Sequence, residues 1–170
     1  MAATITQAQT VDGILDIQRA VCQAVLKNDF FARSRIQVIP EDALDVVTGI
    51  RTAVGRLGIV GVVMTPDLSY QGRSPDGHPV WKLEEIQVAF IETPVTNRGR
   101  ANASTALDAA LVAAETLHEE GLLLKGIRQA EEEGHVVATV SCTASALFRY
   151  ARTDKPAATP GSTVNEPATP

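Results

Sequence analysis

Few residues in this chain are placed to do chemistry, and each of them has a plainer use. The three histidines, His78, His118 and His135, are scattered along the sequence. His78 lies in a Gly/Pro-rich stretch, where Asp67 or Asp76 could join it at a metal. The turn chemistry of that stretch accounts for both aspartates without a metal. His118 falls near a predicted helix C-terminus, where a cation complements the helix dipole. Glu84 and Glu85 are adjacent on a predicted strand, so alternation sends them to opposite faces and no acid–base pair is expected. Glu131, Glu132 and Glu133 read as a solvated turn that discourages edge pairing. Cys22 and Cys142 sit among apolar neighbours, which predicts buried free thiols rather than a disulfide or a zinc site. The chain has no P-loop, dinucleotide fingerprint, G-x-S-x-G, H-E-x-x-H or C-x-x-C motif. No enzymatic activity, cofactor or metal is therefore expected.

Three residues stand out as possible interface contacts. Arg98 and Arg100 flank Gly99 just before a predicted helix N-terminus. That arrangement can hold an anion, or meet carboxylates of a neighbouring subunit. Trp81, the only tryptophan, follows a Gly/Pro loop. A tryptophan at such a rim can anchor an interface.

The elements that must position these residues follow from periodicity. Ile14, Ile17, Val21 and Val25 recur at helical spacing and predict a helix over 10–26 capped by Thr10. Residues 35–39 form a short alternating run that Pro40 stops. Leu44, Val47, Ile50, Val54 and Leu57 form one stripe, which predicts a helix over 41–57 closed by Gly58. The run 59–64 reads as a strand covered on both faces. Residues 67–79 read as a long turn or hairpin loop. Residues 81–92 alternate as a half-buried strand with Ile86, Val88 and Phe90 inward. Leu107, Ala110, Leu111, Ala114 and Leu117 predict a helix to about residue 118, opened by a Thr105/Asp108 capping box. On that stripe, Leu111→Asp should prevent folding. Residues 122–130 alternate poorly and give only a weak strand signal. Residues 135–150 form the clearest strand, with Val136, Ala138, Val140, Cys142, Ala144, Ala146 and Phe148 on one face. Its length requires a bulge, or a reach past the domain to a neighbour.

The predicted order is α-β-α-β-β-α-β-β. The expected class is α+β, with a mixed or antiparallel sheet packed against about three helices. Residues 10–150 form one domain between an extension over 1–9 and a Pro/Ala/Thr-rich tail over 151–170. Such a tail cannot build a core, and is expected to order only on a neighbour. The 170 residues carry a net charge of −5, which argues against a nucleic-acid binder. An acidic surface repels DNA, which would suit a channel through which DNA slides without sticking. No apolar run approaches the roughly 20 residues of a membrane span. The residues over 1–9 lack the pattern of a signal peptide, so a cytosol-like compartment is expected.

Several segments together carry a resemblance. They are the opening amphipathic helix, the helix 41–57 running into Ile59-Val60-Gly61-Val62-Val63-Met64, the strand Ile86-Gln87-Val88-Ala89-Phe90-Ile91, the loop with Asn97-Arg98, and the helix starting Thr105-Ala106-Leu107-Asp108. In layout, residues 10–150 resemble the small tail-completion or tail-terminator proteins of tailed bacteriophages. The resemblance implies a virion neck or tail component, present in the host cytoplasm before assembly. It implies a homo-oligomeric ring, possibly a hexamer, that joins other neck and tail proteins and lets DNA pass without specific binding. The rival readings are a small bacterial adaptor module of similar fold, and an enzyme with a non-local site.

Overall fold

The computed structural model describes residues 8–11, 13–75, 77–97, 104–144 and 147–150. Arg98, Arg100, Asp76 and the tail over 151–170 lie outside the described residues. The class is α+β. Eight strands form a mixed, mostly antiparallel sheet, and helices cover parts of both its faces.

The elements in chain order are β1 (Ala8–Val11), α1 (Ile14–Leu26), α2 (Asp29–Ser34), β2 (Val38–Pro40), α3 (Val46–Leu57), β3 (Ile59–Val63), β4 (Asp67–Arg73), β5 (Pro79–Glu92), α4 (Pro94–Asn97), α5 (Ala106–Glu119), β6 (Leu123–Glu132), β7 (His135–Thr143) and β8 (Leu147–Tyr150). The long β5 pairs differently along its two halves. Its first half lies between β4 and β8, and its second half between β3 and β7. All four pairings are antiparallel. Beyond them, β1 joins β8 in parallel, β2 joins β3 in parallel, and β6 joins β7 antiparallel.

The main core lies on one sheet face. There α1, α2 and α5 bury Val25, Phe31, Ala110 and Leu117 against Val63, Ile86, Val88, Phe90 and Val140. A smaller core forms on the other face, where Ala53 of α3, flanked by Ile50 and Val54, meets Val60 and Val62 of β3. This outer face is covered over β2 and β3 and left open over β6 and β7.

Several expected boundaries change. The first helix starts at Ile14, because Thr10 belongs to β1 and pairs with Arg149. The helix expected from 41 starts at Val46. Glu41 and Asp42 are used elsewhere. The Glu41 carboxylate accepts from Thr65 N (2.6 Å) and Thr65 Oγ1 (2.9 Å), and Asp42 N donates to Oε1 of the buried Gln18 (3.2 Å). These contacts hold the chain beside the end of β3 and deny residues 41–45 a helical path. The stretch 67–79 is the strand β4 followed by a tight turn, not one long loop. The expected strand over 135–150 breaks into β7 and β8, and both flank β5. The weakly signalled strand over 122–130 is β6, running from Leu123 to Glu132.

Helix α5 has the expected capping box. Thr105 Oγ1 accepts from Asp108 N (3.1 Å), and the Asp108 carboxylate accepts from Thr105 N (2.9 Å). Its buried face differs from the expected stripe. Ala106, Ala109, Ala110, Ala113, Ala114 and Leu117 are buried, while Leu107 and Leu111 are exposed, Leu111 by 53%. Alanines let the helix backbone approach the sheet more closely than leucines would. At the helix start, buried Glu92 accepts from Ala106 N (2.7 Å) and Asn97 Nδ2 (2.9 Å). Those bonds satisfy one donor of the first helical turn and fix α5 to the end of β5. Gly58 allows the chain to cross this junction. Its φ is +75°, and a Cβ there would stand 2.6 Å from Asn97 N.

Burial therefore predicts opposite outcomes for two substitutions. Leu111→Asp leaves the fold intact and changes stability by less than about 1 kcal/mol, because position 111 faces solvent. Gly61→Val destabilises by about 1–3 kcal/mol, because its Cβ would lie 2.8 Å from the Phe90 ring and 3.1 Å from Val38. Urea unfolding of both variants against the parent chain measures the difference.

Candidate functional site

Asp76, Arg98 and Arg100 aside, the residues of possible chemical use have definite places. Asp67 begins β4, whereas His78 ends the turn beyond it. The length of β4 separates them, roughly 20 Å at an ordinary strand rise. Among the described residues, no group of three or more His, Cys, Asp or Glu is arranged to hold a metal. His135 Nδ1 lies 2.9 Å from Thr93 Oγ1, a contact that ties β7 to the end of β5.

Glu84 and Glu85 do not point to opposite faces. Leu83 and Ile86 both enter the main core although they are three residues apart, and β4 pairs Leu68 with Leu83 but Asp67 with Glu85. The extra residue is a bulge, so both glutamates lie on the outer face. They still form no acid–base pair. Hydrogen bonds from Ser69 and then Lys82 hold the Glu84 carboxyl below the usual carboxylate range. Hydrogen bonds from Gln87, Ser141 and Lys125 do the same for Glu85. Two carboxyls sharing a proton would show one value raised. Here both are lowered, and each has its own partners.

Two concave regions lie on the described surface near candidate residues. The first is an apolar groove of about 690 Å³ lined by Ile14, Ile17, Leu68, Trp81 and Phe148. Trp81 is half-buried in its wall, and Tyr70 meets it edge-on at 5.6 Å. The second is a shallow polar trough of about 530 Å³ on the open outer face. Its walls include Glu85, Gln87, Lys125, Arg128 and Glu132. Lys125 Nζ reaches Glu85 at 3.3 Å across the trough.

The most exposed element is β6. All ten of its residues are exposed, and β7 is its one strand partner among the described residues. Its other backbone edge has no described partner. Leu123, Leu124 and Ile127 are exposed large apolar side chains, and Leu107 and Leu111 of the adjacent α5 are exposed as well. Sequence reading missed this strand as a functional element. Its register shifts between Leu124 and Gly126, so Leu124 and Ile127 share a face although they are three residues apart. That break in alternation leaves only a weak strand signal in the sequence. The exposed helical leucines beside it were the available clue, and they read as core.

The two thiols are chemically quiet. Burial pushes both Cys22 and Cys142 up to about 11 from the ordinary 9.0. In the unfolded chain they ionise near 9.0, so their neutral forms favour the fold below that value. That contribution is lost as pH rises from about 9 to about 11. At pH 8, roughly one folded thiol in a thousand is ionised. A thiol-specific reagent should label neither cysteine in the native protein and both in denaturant. Rapid native labelling would contradict their burial. No protein-family model matches this chain, and no curated protein matches it.

Proposed function

We propose that this protein is a structural subunit of an assembly, and that its work is done by edges and faces rather than by a catalytic site. One observation carries the reading. Strand β6 presents ten exposed residues and a backbone edge with no strand partner among the described residues, with exposed Leu107 and Leu111 beside it. A row of free N–H and C=O groups is a template for another chain. A subunit that completes its sheet on a neighbour would bury those groups and the leucines together. Within that reading we favour a ring-forming neck or tail-completion component of a tailed phage, which rests on the sequence resemblance. The tail over 151–170 would then order on a neighbouring copy or partner. The net charge of −5 suits a lumen that DNA passes without sticking.

A second reading is a binding module that works as a monomer. The apolar groove beside Trp81 favours it, because such a groove can take a partner's apolar side chains.

Light scattering at several concentrations separates the two. The assembly reading expects a closed oligomer, or a mass that climbs towards one, and expects Leu124→Lys with Ile127→Lys to reduce it without unfolding the domain. Truncation after Arg152 should leave the domain folded and weaken assembly. A mass that stays near 18 kDa at every concentration would reject the ring and favour the binding module.

A further inference from the structure

The two edges of the five-strand half of the sheet carry opposite charge at the same height. Its order is β2-β3-β5-β7-β6. One row of paired residues crosses most of it, Ile59, Glu92, Val136 and Glu131. Beyond Ile59 the row continues to the residues just before β2, where Gly61 N donates to Gln37 O at 2.8 Å. The β6 end of this row is the turn Glu131-Glu132-Glu133, all exposed. At the β2 end is a small polar notch of about 190 Å³ lined by Arg35, Gln37, Thr52 and Arg56.

The notch gathers hydrogen-bond donors. Its lining offers two guanidinium groups, an amide and a hydroxyl, and no carboxylate. Neither the Arg35 nor the Arg56 side chain has an ion pair or hydrogen bond among the described residues. Arg35 also holds a left-handed backbone, φ +59°, at the end of α2. Glycine is the residue that geometry favours, and an arginine there costs on the order of 1 kcal/mol. Across the sheet, the carboxylates of Glu131, Glu132 and Glu133 likewise have no ion-pair partner among the described residues.

We infer that the arginine notch of one copy receives the acidic β6–β7 turn of the next. The occupant is a second copy of this chain. Rotation about an axis along the strands keeps each feature at its own height, so two edges charged at one height meet in register. The contact is heterologous, the kind that closes into a ring when the rotation divides the circle. The inference rests on the assembly reading above and names its contact. Arginine forks suit it, because each guanidinium can hold a carboxylate through two N–H bonds.

Sedimentation velocity on three variants tests it. One carries Arg35→Glu and Arg56→Glu, one carries Glu131→Lys, Glu132→Lys and Glu133→Lys, and one carries all five changes. All five residues are exposed, so circular dichroism should match the parent. The first two variants should associate roughly 10- to 100-fold more weakly than the parent. The combined variant restores opposite charges on facing edges and should recover association. Parent association should also fall as salt rises from about 0.05 to about 0.5 M. If the parent associates and the swaps leave it unchanged, this contact is wrong and the assembly reading survives. If the swapped variants lose association and the combined variant does not regain it, the pairing of notch with turn is wrong. A parent that remains monomeric throughout overturns both.

Discussion

The whole architecture hangs on the backbone pairing of one fourteen-residue strand, β5. Four other strands bond to it directly, two along each half. On one side the chain runs β3 then β4, and on the other β7 then β8. Both flanking paths are interrupted at about the same level, after Val63 and after Thr143. At that level β5 itself carries the bulge at Glu84 and Glu85. The bulge moves the inward positions from odd residues, such as Leu83, to even ones, such as Ile86, Val88 and Phe90. One strand can therefore serve two packing environments. Its second half lies under α5, and its first half forms the wall of the groove around Trp81. Strands β1, β2 and β6 are placed only through β8, β3 and β7. Together with β4, which pairs only with β5 among the described residues, they are the edges of the sheet.

What was legible in the sequence was whatever depended on local signals. The Thr105/Asp108 capping box, the stop at Gly58 and the apolar run Ile59–Val63 need few distant residues to be recognised. What failed depended on tertiary choices. Two stripes compete on α5, one of leucines and one of alanines. Hydrophobicity alone favours Leu107 and Leu111. The helix buries Ala109, Ala110, Ala113 and Ala114 instead, because Glu92 fixes its first turn close to the sheet and small side chains fill the narrow gap. Residues 41–45 carry good helix-start signals, yet Thr65 and Gln18 claim their polar groups. The register shifts at Glu84/Glu85, between Tyr70 and Gly72, and between Leu124 and Gly126 each move alternation by one residue. A period-two reading has no means of seeing that shift.

The candidate surfaces were harder still. Arg35 follows α2 and Arg56 belongs to α3, and they line one notch because β2 pairs with β3 while α3 returns over the outer face. Nothing in their spacing marks them. Trp81 was visible through its type alone, and the groove it lines is built by Leu68, Phe148 and the start of α1, all remote in sequence. Of the three interface candidates, only Trp81 falls among the described residues.

A long exposed edge strand is a hazard, since it can pair with any other strand. The charges on β6 narrow that choice. Identical copies stacked parallel and in register would set Lys125 on Lys125, Arg128 on Arg128, and each of Glu131 and Glu132 on itself. Like charges directly opposite one another are destabilising. Indefinite stacking of one edge is therefore opposed by the side chains of that edge. The residue left between two bulge positions also bends the strand locally and interrupts a flat template. A different edge, bearing arginines where β6 bears glutamates, meets no such penalty. In the proposed assembly, the charge pattern that opposes pairing of β6 with itself would favour an unlike surface, the selectivity that a closed ring requires of its subunits.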